Sequence, residues 1–162
     1  MLKKEQYVWV ILRLLMGWMF LWAFFDKLFG LGFATKIDKS WILGNSPTYG
    51  FLKLGTHGPF ASFFQSLAGN AFVDWLFMLG LLFLGIALLF GIGVRFASYA
   101  GSLLLFLMWL SLLPPENNPF LDEHIIYIII LIGLGIVKAG HWFGFGKWWS
   151  KTKLVGKYKF LE

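Results

Sequence analysis

The sequence predicts an all-α integral membrane protein: a four-transmembrane-helix bundle with short interfacial helices in its first extracytoplasmic loop. Three observations carry this. Of 162 residues, 59% are hydrophobic and only 14% charged, against about 25% charged in an ordinary soluble domain. A chain this short cannot bury that much apolar surface inside itself, so lipid must be part of its solvent. The apolar residues also fall into four separate runs with no β alternation, and inside lipid a backbone that satisfies its own hydrogen bonds is helical.

The spans fall at about 6–29, 72–90, 95–113 and 119–139, each near the ~20 residues that cross ~30 Å of hydrocarbon. The first run continues too far, with no small-residue cleavage site after it, to read as a removed signal peptide. Gly91-Ile92-Gly93 is a tight link that predicts an antiparallel hairpin of the second and third spans. Pro114-Pro115 stops the third. Asn118 before Pro119 reads as the N-cap of the fourth, which puts Asp122, Glu123 and His124 in its first two turns.

Lysine and arginine set the orientation. With both termini cytoplasmic, that side holds Lys3, Lys4, Arg13, Arg95 and the six lysines from Lys138 onward, ten in all, against Lys27, Lys36, Lys39 and Lys53 outside. This satisfies the positive-inside rule and predicts a multi-pass protein of the cell membrane. The net charge of +6 is concentrated in the 140–162 tail beside Trp142, Trp148 and Trp149, a pattern for anionic headgroups rather than nucleic acid. The absence of cysteine excludes disulfides, thiolate metal sites and a CxxC relay within the chain.

The extracytoplasmic loop, 31–70, is patterned. Phe33, Ile37 and Trp41 recur at helical spacing, Ser46-Pro47 and Gly58-Pro59 resemble helix starts, and Phe60, Phe63, Phe64 and Leu67 form an apolar stripe. These predict short amphipathic helices, lying either on the membrane or as a cap over the bundle.

The polar residues near lipid gather at the outer helix ends: Asp26 and Lys27 on the first span, Asp74 on the second, and Asn118, Asp122, Glu123 and His124 on the fourth. Each acid could simply cap a helix, yet acid, base, amide and imidazole at one level also describe a ligand site. On an ideal helix Asn118 and Asp122 share a face, and His124 lies about 200° round from Asp122. Arg13, Gly17, Phe20, Phe24 and Lys27 share a stripe of the first span, which suits an anion or a carbonyl oxygen, or two cations snorkelling to opposite interfaces. His124 and His141 are about 25 Å apart along the helix, too far to hold a haem. A metal held by His57 and His124 with Asp122 or Glu123 is a weaker reading. No metal, haem or iron–sulfur centre is expected.

Arg13-x3-Gly17-x2-Phe20 with Asp26-Lys27-Leu28 resembles the first helix of the DoxX/DoxD family of small four-helix membrane proteins. So do Gly32-Phe33-Ala34, Gly44-x-Ser46-Pro47-Thr48, Ala68-Gly69-Asn70 before Asp74-Trp75, and Pro115-Glu116-Asn117-Asn118-Pro119-Phe120 with Asp122-x-His124. The likeness runs from about Arg13 to Trp148. It implies a membrane redox subunit of the thiosulfate:quinone oxidoreductase type, working with a partner subunit; no DoxA-like region is present. Arg13, Asp26, Lys27, Asn118, Asp122 and His124 would line the shared site.

The expected function is therefore an oxidoreductase subunit that binds a quinone. His124 with Asp122 or Glu123 would pass protons, and Lys27 or Arg13 would steady a negative oxygen, with Asp74 beside them. The alternatives are a non-enzymatic assembly factor or scaffold that binds partner proteins, and a small-molecule carrier. Oligomerisation is open.

Overall fold

A computed structural model describes residues 3–162, and every regular element among them is helical. In order these are α1 (Lys4–Phe29), α2 (Ala61–Ser66), α3 (Ala71–Phe90), α4 (Val94–Ser111), α5 (Glu123–Ile136), α6 (Gly146–Trp149) and α7 (Lys153–Lys157). Three of them, α1, α3 and α4, with 26, 20 and 18 residues, are long and apolar enough to cross a membrane.

The expected fourth span is shorter than its apolar run. α5 has 14 residues and begins four residues after Pro119, at Glu123. The reason is local. Asn118 accepts the amides of Phe120 and Leu121, both at 3.0 Å, and so closes a turn of its own. Asp122 is the cap instead, accepting the amides of His124 and Ile125 at 3.0 and 3.4 Å. At the far end Val137 closes the helix, and Lys138 turns left-handed at φ 53°.

Packing is antiparallel and pairwise. Gly17 of α1 lies against Leu88 and Leu89 of α3, and Gly85 of α3 lies against Leu21 of α1. A Cβ on either glycine would come within 2.8 Å of its neighbour, so these small residues are what lets the two backbones close. α4 and α5 pack equally tightly, with Gly135 on Ser98 and Gly101 on Leu131. The shared core of Phe20, Met78, Leu84, Leu88, Ala97 and Leu131 joins the two pairs.

α3 and α4 do not form the expected close hairpin. They meet at Gly91–Gly93, where both glycines are left-handed, but pack sparsely beyond it. Each is engaged on its other side, α3 by α1 and α4 by α5, and a cleft opens between them.

The 31–70 segment folds into short turns at Ile37–Lys39, Trp41–Leu43 and Phe51–Gly55, followed by α2. Its apolar stripes are divided. Phe33 and Ile37 point outward, whereas Trp41 meets Trp75 edge-on at 4.7 Å. Phe64 is buried and Phe63 exposed.

Candidate functional site

The cleft between α3 and α4 has a volume of about 740 Å³, within the range of small-molecule sites. Val73 to Leu84 of α3 and Phe96 to Ser111 of α4 border it, a length of roughly 16–22 Å at 1.5 Å per residue. Pro47, Thr48, Phe51, Leu52, Phe64 and Leu67 of the 31–70 segment line it as well, so that segment covers one end.

Two straps hold this cover. On the α3 side, Asp74 Oδ1 accepts the Ser46 hydroxyl at 2.8 Å, the Thr48 amide at 3.4 Å, and the Thr48 hydroxyl. On the α4 side, the His57 amide donates to the Ser111 carbonyl at 3.2 Å, and His57 Nε2 lies 3.1 Å from the Pro114 carbonyl. Asp74 is thus a buried strap for the cover.

Among the described residues, three polar side chains line the cleft: Lys27, Thr48 and Ser111. Thr48 is committed to Asp74, and the Ser111 hydroxyl donates to Met108 O at 2.7 Å. Lys27 Nζ lies 5.8 Å from the centre of the Phe77 ring. Among the described residues it makes no hydrogen bond and no ion pair. A half-buried ammonium without an acceptor is costly. The cleft therefore combines long apolar walls with one cation whose hydrogen bonds are unspent.

The other expected site residues lie elsewhere. Arg13 is about 21 Å along α1 from Lys27 and fully buried. Its guanidinium donates to the carbonyls of Leu88 and of Leu89 (2.9 Å), and to those of Trp142 (3.3 Å) and Phe143 (2.8 Å). It ties α1 to the last turn of α3 and to the segment after α5, satisfying carbonyls that no helix can. Its position puts it at the opposite end of the bundle from the expected polar site.

Asp26 is buried beneath the 31–70 segment, where Oδ1 accepts the Phe33 amide at 3.2 Å and Oδ2 has no partner. Asn118 and Glu123 are exposed. His57 faces main-chain carbonyls and not His124, so the imagined histidine pair does not form.

Asp122 and His124 do meet, against the angular expectation. His124 Nδ1 is 2.8 Å from Asp122 Oδ2. The 200° separation assumed that both residues were helical. Asp122 is extended (φ −138°, ψ −174°) because it is the cap, and its carboxylate folds back over the first turn. Neither residue lines the cleft.

No family model, curated protein or solved structure matches this chain. The site stands on its own geometry. Of the expected residues, Lys27 alone borders the cleft; the walls were not anticipated. Gly80 held the available signal. A Cβ there would meet nothing within 4 Å, unlike Gly17 and Gly85, which sit at close helix contacts.

Proposed function

We propose that this chain is a four-span membrane protein of DoxX/DoxD type that binds a quinone in the α3–α4 cleft and serves as the quinone-handling subunit of a membrane oxidoreductase. The observation that carries this is the unpartnered Lys27 at the head of a long apolar cleft. A lipid-soluble molecule with an electron-rich oxygen on its head satisfies both parts. The tail replaces lipid against the walls, and the ammonium donates to the oxygen.

The four-span reading draws support from where α5 ends. Arg13, in the first half of α1, bonds to Trp142 and Phe143, just after α5, so the C-terminal end of α5 lies at the level of the N-terminal half of α1. The 14 residues of α5 supply about 21 Å, and the flanking turns complete the crossing. Charge bias supports an orientation with both termini in the cytoplasm.

Reduction of a quinone takes two electrons and two protons. The electrons would come from a sulfur oxyanion or a partner subunit, the donor classes that the resemblance implies. Asp122–His124 lies outside the cleft, so in this reading it could only relay protons towards the quinone and not hold it. Lys27 orients the head. A scaffold reading has its own support in the outward-facing Phe33, Ile37 and Leu54 of the 31–70 segment, which offer a partner an apolar surface.

The test is organic extraction and mass spectrometry of the protein purified in mild detergent. Near-stoichiometric quinone, lost in Lys27→Met, supports the proposal. Phospholipid alone, or a co-purified protein without quinone, sinks it and favours the scaffold.

A further inference from the structure

At the Arg13 end of the bundle the chain folds back on itself. Both Glu162 side-chain oxygens accept from Lys138 Nζ, at 2.7 and 2.9 Å, and His141 Nε2 lies 3.3 Å from Oε1. The Arg95 amide, in the first turn of α4, donates to the main-chain oxygen of Glu162 at 2.7 Å. Trp149 Nε1 donates to Leu161 O at 2.6 Å and holds the segment in place. Lys138 thus binds the Glu162 carboxylate, His141 lies beside it with Nε2 free of any hydrogen bond among the described residues, and a helix-start amide holds the same residue's main-chain oxygen. Beside it is a cavity of about 10 Å³ bordered by Gly91, Gly140 and Gly146, room for about one water.

Glu162 is the only acidic residue after Glu123, on a stretch that carries six lysines. Lys138 remains half exposed, with side-chain exposure of 50%, so its ammonium can be reached from solvent or from a membrane surface. One ammonium with an imidazole and a main-chain amide close by is an arrangement of donors that a phosphate oxygen would also satisfy.

We propose that Lys138, His141 and the Arg95 amide form a receptor for the phosphate of an anionic phospholipid headgroup, and that Glu162 occupies it as a tethered competitor. Exchange of one anion for the other leaves the local charge balanced. It frees the Lys159–Glu162 turn from the bundle while the basic tail stays at the membrane surface.

A tethered competitor makes a prediction of sign. Native mass spectrometry of the full chain in neutral detergent, titrated with phosphatidylglycerol or phosphatidylcholine, measures the affinities. Glu162→Gln tightens phosphatidylglycerol binding about fivefold, the scale of a surface ion pair, and leaves phosphatidylcholine unchanged. Adding Lys138→Gln to that variant removes the gain. Inorganic phosphate competing with the lipid in millimolar amounts assigns the site to phosphate as such; failure to compete assigns it to the whole headgroup, and both support the receptor. Unchanged or weaker lipid binding in Glu162→Gln overturns it. So does a gain that persists without Lys138, which reports only diffuse attraction.

Discussion

The ammonium of Lys27 faces the ring of Phe77, 5.8 Å from its centre, and among the described residues it makes no hydrogen bond or ion pair. Its neighbour Asp26 is turned away beneath the 31–70 segment, bonded to the Phe33 amide. Two charges adjacent in sequence thus make no direct ion pair: Asp26 holds the 31–70 segment and Lys27 borders the cleft. The cation–π contact offsets part of the cost of holding the ammonium out of water, and a ligand oxygen would offset more.

Lys27→Met is expected to keep the fold and weaken quinone retention by about ten- to a hundredfold, the worth of one hydrogen bond to a charged group. Retention is read by mass spectrometry of extracts and the fold by thermal unfolding in detergent. His124→Ala, outside the cleft, leaves retention unchanged. Equal loss in both variants would mean that the two sites are one.

Arg13→Leu is expected to destabilise the protein by at least about 3 kcal/mol, because four carbonyls lose a charged donor in a place water does not reach. Arg13→Lys recovers little, since one ammonium cannot span carbonyls on both α3 and the segment after α5. Chemical denaturation followed by far-ultraviolet circular dichroism measures the difference. A wild-type midpoint in Arg13→Leu would show that the guanidinium is dispensable.

The glycines of α3 separate packing from binding. Gly85→Val drives a side chain into Leu21 of α1 and is expected to cost about 1–3 kcal/mol. Gly80→Phe enters open space in the cleft, so it keeps stability while abolishing retention. Thermal midpoints and ligand content of the same two preparations decide this, and the reverse pattern contradicts the cleft.

The Glu162 contact carries a pH dependence. The hydrogen bond from Lys138 holds the carboxyl below its usual range, with Lys138, His141 and Arg95 adding charge attraction and burial opposing them. A depressed carboxylate contributes stability above its unfolded value and loses it as pH falls through the folded one. The ion pair therefore holds the 159–162 turn at neutral pH, and on acidification below the ordinary carboxylate range the turn loosens, keeping only its main-chain bonds to Trp149 and Arg95. Amide relaxation of Phe160 and Leu161 by NMR reports it, and a turn still rigid at strongly acid pH contradicts the ion pair as its tether.

Much of this was legible in the residues, and the misses have physical causes. The boundaries of α1, α3 and α4 follow from hydropathy and from glycine and asparagine at their ends, which act locally. The start of α5 was misplaced because Asn118 and Asp122 are both competent caps, and only the folded chain decides between them. That one shift turned Asp122 from a helical position opposite His124 into its hydrogen-bond partner. Arg13 was read as a ligand group because its acceptors are main-chain carbonyls about 75 and 130 residues away, which carry no side-chain signature. The cleft escaped because Gly80, Leu104 and Met108 look like any lipid-facing residues until the helices are seen to diverge.

The central claim is that the ligand lies between α3 and α4 with its head at Lys27. It is tested most directly by a photoreactive quinone analogue added to the protein in lipid nanodiscs, with adducts mapped by peptide mass spectrometry. Adducts confined to Leu76, Phe83, Leu104 and Met108, suppressed by excess unmodified quinone and absent from Gly80→Phe, are the predicted result. Labelling spread over outward-facing residues such as Val8, Leu15 and Ile129, without competition, would contradict it.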